Sequence, residues 1–488
     1  MPSFFIETVG CQMNVLDSEL IIATLLREGY TLADKMNKAD VILFNTCSIR
    51  QHAEDKIYSA LGRLRLVKEA HPEKIIGVMG CMAQKDNTLI FKRAPFVELV
   101  LGPGQIARLP EMIANIRAGK GPQIELSLER KGRGRHEVED SFDFYDPLRE
   151  ASARQNPYMA YVRVMFGCDQ FCTYCIVPYV RGPEQSRPVE EILAEVRQLV
   201  TQGCKEVTLI GQTVSKYHDT DSDTRLAGLL EQCEKIAENT PLERIRFVTS
   251  HPNSMNMPLF EAVRDLPHVM PYFHVPAQSG SNAQLKKMNR GYTVEKYREV
   301  CQQIYETVPG AAITSDFIVG FCDETEEDFQ QTVQLVKDMR FKNSYIFKFS
   351  PREGTKAYEL WEDNVPESVK RRRNNELLAV QNAISTEDSE KFIGQEVEIL
   401  VEGMSKNALK LPVLGNASPL DELAETLESG ENAGTGRNAG NADTVVQLTG
   451  RTPCDRIVVF DGPRSLVGEM KKVKIVKASP FTLFGESQ

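Results

Sequence analysis

The chain has 488 residues, of which 41% are hydrophobic and 26% charged, and a formal net charge of −10. At about 100–200 residues per domain, this length implies roughly three domains. Lacking any run of about 18 apolar residues, the chain is not expected to span a membrane.

The opening Met-Pro-Ser-Phe-Phe-Ile-Glu7 has no basic segment, which argues against a secretory signal and for the cytoplasm, where thiols stay reduced. Eleven cysteines, an odd number, do not make a disulfide framework and point instead to metal ligands, redox thiols or small buried hydrophobes. In residues 1–115, Phe4–Val9, Val41–Thr46 and Lys74–Gly80 read as strands, with helices over Leu16–Glu28 and Ala53–Ala70 between them. Such alternation gives a parallel sheet with helices on its faces. Each strand runs into a cysteine, Cys11, Cys47 or Cys81, and loops at the carboxyl ends of parallel strands share one sheet edge. The three thiols are therefore expected to converge. The N-terminal domain is set at residues 1–120 and a polar linker at 121–153.

From residue 154 to 388, strands fit Ala160–Met165, Glu206–Gly211, Arg244–Ser250, His268–His274, Ala312–Val319 and Asn343–Phe349, with helices such as Pro188–Thr201 and Val294–Thr307 between them. Six βα units suggest a partial or full α/β barrel, though a doubly wound sheet shares the pattern. After the first strand comes Gly167-Cys168-Asp-Gln-Phe-Cys172-Thr-Tyr-Cys175. Three thiols in one short loop fit either a zinc knuckle short of its fourth ligand or an iron–sulfur cluster, and a cubane held by three thiolates leaves one iron open to substrate. Strand-end logic makes Ser250, Gln278 and Asp316 candidates for cofactor or substrate contact; a turn and a satisfied buried carboxylate are the competing explanations. Arg181, just past the loop, could pair with a carboxylate. Cys204, Cys233, Cys301, Cys322 and Cys454 share no spacing and read as structural thiols.

Residues 389–480 carry alternating β patterns, as in a small all-β domain, with an insert around 404–445 whose closing stretch, Gly430–Thr444, is nearly all Gly, Asn and Ala without a large apolar side chain and reads as a mobile loop. Basic runs occur at Lys131–Arg135, Lys370–Arg373 and Lys471–Lys477. Each is either solvated surface or a local nucleic-acid contact that the acidic total does not exclude.

The loop Cys168-x3-Cys172-x2-Cys175 resembles the radical S-adenosylmethionine enzymes. With Cys11-Gln-Met-Asn14, Asn45-Thr-Cys-Ser-Ile-Arg50, Ser250-His-Pro252, Pro276-Ala-Gln-Ser-Gly-Ser281 and Asp316-Phe-Ile-Val-Gly-Phe321, the chain is similar to the methylthiotransferases of that superfamily, and within them to the branch acting on N6-isopentenyladenosine in tRNA. The resemblance spans most of residues 1–400, and the C-terminal segment resembles a TRAM domain. It implies two [4Fe–4S] clusters, one on Cys168, Cys172 and Cys175 that cleaves S-adenosylmethionine, the other an auxiliary cluster on Cys11, Cys47 and Cys81 that carries sulfur. One S-adenosylmethionine would give the methyl group and a second the radical that opens carbon 2 of the adenine.

The resemblance also implies a tRNA partner, an electron donor and a sulfur source, with Lys471, Lys472 and Lys474 as candidate RNA contacts. Two departures stand out, Phe321-Cys-Asp-Glu-Thr325 for the family's Phe-Pro-Gly-Glu-Thr and Gly211-Gln-Thr-Val-Ser215 for its Gly-Gln-Asn-Val-Asn; neither is expected to touch a cluster ligand. Competing functions are methylthiolation of a ribosomal-protein aspartate, action on threonylcarbamoyl-adenosine in tRNA, and a non-catalytic iron–sulfur RNA-binding or electron-transfer protein. Three rather than four thiols per group argues against simple electron transfer.

Overall fold

Val41–Thr46 and Ile75–Gly80 are buried at every position, as strands covered on both faces must be. In the computed structural model, which describes residues 1–48, 51–126, 149–405, 408 and 444–487, they are β3 and β4 of a parallel sheet. Its other strands are β1 (Ser3–Val9), β2 (Thr31–Leu32), β5 (Leu99–Leu101) and β6 (Gln123–Glu125), in the order β2-β1-β3-β4-β5-β6. Helices α1 (Gln12–Arg27) and α2 (Gln51–Ala70) cover the sheet. Phe5, Ile42, Phe44, Ile57 and Val78 fill one face, and Phe4, Ile21, Leu25, Leu43 and Met79 the other. Strand β6 lies beyond residue 120, so the expected linker begins as sheet edge. The rest of that linker, including Lys131–Arg135, lies outside the described residues.

The central strands are β7 (Met159–Arg163), β8 (Glu206–Ile210), β9 (Arg244–Phe247), β10 (Tyr272–His274), β11 (Ala312–Val319) and β12 (Asn343–Lys348). They form two parallel three-stranded sheets, β9-β8-β7 and β10-β11-β12, joined by one parallel bridge between Ile245 and Val269. The result is a partial barrel, six parallel strands in sequential order. The strand expected over His268–His274 is short because Pro271 has no N–H for the ladder. Val207, Leu209, Ile245, Phe273, Ile313 and Phe317 pack outward against the helices, so the alternate positions, among them Tyr161, Arg163, Arg246, His274 and Asp316, line the inner face. Part of that face is closed by α1, whose Met13, Leu16 and Leu20 pack on Ile210 with Tyr161 and Val248 alongside.

The last five strands, β13 (Glu396–Met404), β14 (Val445–Arg451), β15 (Ile457–Pro463), β16 (Met470–Ala478) and β17 (Thr482–Ser487), close into a barrel in the order β13-β14-β15-β17-β16. Its core is Ile399, Val401, Leu448, Val458, Phe460, Val473, Ile475 and Leu483. Met404 pairs with Leu448, so both ends of the expected insert belong to strands, and β17 carries the domain past residue 480. Most of the Gly/Asn/Ala stretch lies outside the described residues. Among the described residues no helix is long and apolar enough to cross a membrane.

Candidate active site

Parallel pairing brings Val9 opposite Thr46 and Thr46 opposite Gly80. The next one or two residues along these strands are Cys11, Cys47 and Cys81, and the three thiols converge as expected. Cys47 hydrogen-bonds to both neighbours. That bond lowers the Cys11 thiol to about 6 and the Cys81 thiol to about 7, each helped by the charge of Arg181, while Cys47, the shared partner, is raised. The flanking asparagines explain the two N-terminal motifs. Asn14 donates to Asn45 Oδ1 at 3.1 Å, and Asn45 donates to Asn14 O at 2.9 Å and Ser18 Oγ at 2.9 Å, tying the Cys11 and Cys47 loops together. Ile49 and Arg50 lie outside the described residues.

The second triad sits past β7. Gly167 has φ +70, and a Cβ there would lie 1.9 Å from Pro183 O, so only glycine allows the chain to turn into the cysteine loop. Cys168 N–H donates to Gly182 O at 3.2 Å and Cys175 N–H to Cys172 O at 3.0 Å. Burial raises the Cys168 thiol, and raises Cys175 to about 12 with the charge of Cys172 adding to it. Arg290, a residue the sequence did not single out, donates Nη1 to Cys172 Sγ at 3.3 Å and Nη2 to Pro276 O at 3.0 Å. Its signal is its place just after the Pro276–Ser281 motif and the helix that follows.

The two triads face one another. Ile176 and Val180, on and beside the short helix Val177–Val180, pack against Cys81. Arg352 donates to Ser48 O and feels the charges of both Cys47 and Cys175, although burial is what chiefly lowers its own pKa. Arg181 finds the carboxylate expected for it, Asp17 of α1, at 2.9 Å, and its Nε also donates to Cys81 Sγ at 3.2 Å.

Ser250 and Gln278 lie past the ends of β9 and β10, both buried. Ser250 N–H donates to His274 O at 3.1 Å and Gln278 N–H to Asp316 O at 2.8 Å, so Gln278 adjoins Asp316 and Ser250 lies beside His274. Asp316 sits mid-strand rather than at the mouth, with a carboxylate oxygen 3.5 Å from His274 Nε2. His251 is lowered to about 3 by burial and then by Arg290 and Lys216, and is neutral. One expectation is corrected: the Gly211–Ser215 departure does reach a cysteine, with Thr213 Oγ1 3.8 Å from Cys168 Sγ, because the loop after β8 folds across the mouth beside the cysteine loop.

Of the basic runs, Lys472 and Lys474 are exposed on β16, alternating with the core residues Val473 and Ile475, while Lys471 is half-buried. The Lys370–Arg373 run does not form a free patch. Lys370 and Arg373 are buried on the inner side of the helix Glu367–Glu390, paired with Asp363 and Glu324, and Arg372 is paired with Glu326. Helical spacing put the first and fourth of four adjacent cations on the packed face. Cys204, Cys233, Cys301 and Cys322 are buried singly, and Cys454 half-buried.

The radical SAM superfamily matches residues 162–336, the TRAM domain residues 446–487, and the uncharacterized protein family UPF0004 residues 3–102. The solved radical S-adenosylmethionine methyltransferase TsrM from Kitasatospora setae, with cobalamin and a [4Fe-4S] cluster bound, is similar with a TM-score of 0.53 at 14% identity, over 73% of this chain and 74% of that one. The central fold is that of a radical SAM enzyme. Similarity in sequence goes further. The tRNA-2-methylthio-N(6)-dimethylallyladenosine synthase of Rhodopirellula baltica is 52% identical over 99% of this chain and 94% of its own, and that of Acidovorax sp. 42% identical over 99% and 96%. The chain belongs to the family of tRNA-2-methylthio-N(6)-dimethylallyladenosine synthases.

Proposed function

We propose that this chain methylthiolates carbon 2 of N6-isopentenyladenosine beside the anticodon of tRNA, with S-adenosylmethionine as both methyl donor and radical source. In this reading Cys168, Cys172 and Cys175 hold the [4Fe–4S] cluster that takes S-adenosylmethionine, and Cys11, Cys47 and Cys81 hold a second, auxiliary cluster. The observation that carries it is the opposition of two three-thiol sets across Arg352, so that a base drawn from the RNA can reach both. Together the bound groups supply a 5′-deoxyadenosyl radical and a transferable sulfur. The protein's own polar groups fit them. Gln212 Oε1, Ser250 Oγ and His251 Nε2 at the barrel mouth, and Thr46 Oγ1, Ser48 Oγ and Arg181 Nη1 around the other triad, are buried without a hydrogen-bond partner, and such groups normally have one.

The reading also divides the chain into functional units, an auxiliary-cluster domain to about residue 126, a radical SAM core and a TRAM-like domain from about 389. It calls for an electron donor and a sulfur source, and places the reaction in the cytoplasm, where tRNA is processed. Ser250, Gln278 and Asp316 are proposed to contact S-adenosylmethionine or the adenine.

The test is anaerobic reconstitution followed by nucleoside mass analysis of tRNA bearing or lacking the isopentenyl group. Replacing Cys168, Cys172 and Cys175 by Ala should halve the iron and abolish cleavage of S-adenosylmethionine. Replacing Cys11, Cys47 and Cys81 should spare that cleavage and abolish methylthiolation. Equal turnover of both tRNAs, or turnover of a ribosomal protein alone, would refute the reading.

A further inference from the structure

The three auxiliary thiols come from the N-terminal sheet, but the cation beside them does not. Arg181 belongs to the central domain, six residues past Cys175, and is 1% exposed. It reaches across the boundary between the domains so that Nε donates to Cys81 Sγ at 3.2 Å and Nη2 to Asp17 at 2.9 Å, with the guanidinium 5.7 Å over the ring of Phe166. Asp17 also takes Arg163. One carboxylate thus serves two guanidinium groups, and the other counter-charges on Arg181 are the sulfurs of Cys81 and Cys11. Arg181 Nη1 has no hydrogen-bond partner.

An orphaned donor is costly in a protein interior, and the bonds of Arg181 to Asp17 and Cys81 leave Nη1 without an acceptor. A cubane bound by three thiolates supplies one. Its doubly positive core with three cysteinyl sulfurs is net monoanionic, and its sulfur atoms are hydrogen-bond acceptors that help to set its potential.

We propose that Arg181 is a positioning residue for the auxiliary cluster. It is supplied by the neighbouring domain, oriented by Asp17 and bonded to the Cys81 sulfur, and it gives its unpaired Nη1 to a sulfur of the bound cluster. Its charge favours the more negative, reduced form, so it holds the cluster's reduction potential up. The auxiliary site is complete only when the two domains are docked. This inference rests on the reading of Cys11, Cys47 and Cys81 as cluster ligands.

The test uses the full chain carrying Cys168→Ala, Cys172→Ala and Cys175→Ala, in which a remaining cluster is the auxiliary one. Iron and sulfide analysis after anaerobic reconstitution reports whether it is present, and a redox titration followed by absorbance and electron paramagnetic resonance gives its midpoint potential. Absence of any cluster in this background refutes the ligand reading itself. With the cluster present, adding Arg181→Met should shift the potential downward, and Arg181→Lys, which keeps the charge but loses the planar fork, should fall between. Asp17→Asn should loosen the guanidinium and broaden the resonance signal. A potential unmoved by both Arg181 substitutions overturns the proposal. If Arg181→Met does not fold, judged by circular dichroism, Arg181→Lys decides by the same criterion.

Discussion

At Gly80, backbone and side chains compete for one space. Its φ is +84, and a Cβ there would lie 2.5 Å from Asn45 Oδ1 and 2.8 Å from Thr46 O. The conformation is essentially reserved for glycine and costs other residues about 1–3 kcal/mol. Any side chain would also push Asn45 off Asn14 and Ser18, breaking the tie between two cysteine loops. Gly80→Ala should therefore lower the urea midpoint by an amount corresponding to about 2–4 kcal/mol and reduce auxiliary iron after reconstitution. Gly62→Ala is the control. That glycine is exposed on α2 with nothing within 4 Å of the added carbon, and the change should stabilise the helix by about 0.5–1 kcal/mol. The cysteines were legible because strand ends are legible: a run of buried β-formers stopping at Gly80-Cys81 states where the thiol goes. Arg181 was legible only as a partner for a carboxylate and Arg290 not at all, because each finds its thiol on a segment a hundred or more residues away, and only the docking of elements selects that partner.

Between elements, the turn joining β14 to β15 shows how the C-terminal barrel is held. Arg246 of β9 donates to Thr452 O and Pro453 O, each at 2.9 Å, and Asp455 meets Lys342 at 2.9 Å and Arg451 at 2.8 Å. Burial alone would raise Asp455, but Lys342, Arg451 and Arg246 outweigh it and hold the carboxyl well below the usual carboxylate range. A carboxyl depressed in the folded state adds stability that is complete above its unfolded value of about 3.9 and is lost as pH falls through the folded one. Asp455→Asn should cost about 3 kcal/mol near neutral pH, since it leaves the buried Lys342 without a carboxylate and Arg451 with Glu402 alone. The gap between variant and parent in urea unfolding should close as pH drops below about 4. A gap that stays constant down to pH 2 would show that the pair contributes through shape alone. None of this was readable beforehand. Thr452–Asp455 has the composition of any turn, and its importance comes from the barrel strand it meets.

On the scale of the whole molecule, an acidic chain has to bind RNA locally. On charge alone Lys370–Arg373 stood level with Lys471–Lys477, of which Lys471, Lys472 and Lys474 were the candidate RNA contacts, and the fold separates the two runs. In a helix, four consecutive cations point in four directions, and packing against Glu324 and Asp363 removed two of them from solvent. In a strand the period is two, so Lys472 and Lys474 project outward together while Val473 and Ile475 fill the barrel core. Only the strand presents a usable pair, and the one contact of Lys472 with Glu396, at 3.7 Å between exposed groups, is weak enough for a phosphate to displace. If these lysines neutralise phosphates, binding should fall with salt by a log–log slope of about −0.7 for each single-stranded phosphate contacted. Replacing Lys472 and Lys474 by Gln should flatten that slope by about 0.7 per lysine and weaken tRNA binding, with cleavage of S-adenosylmethionine unchanged, because neither lies near the cysteine triads. Replacing Lys370 and Arg373 by Gln should do the opposite: the salt slope should hold while the melting temperature falls, since one change takes the guanidinium from buried Glu324 and the other takes the buried ammonium from Asp363 and Phe349 O. Fluorescence titration of labelled tRNA between 50 and 200 mM salt (about the range in which such slopes are read) distinguishes the two pairs. A slope altered by the helix pair and not by the strand pair would move the RNA path off the small barrel and onto the face of the helix Glu367–Glu390.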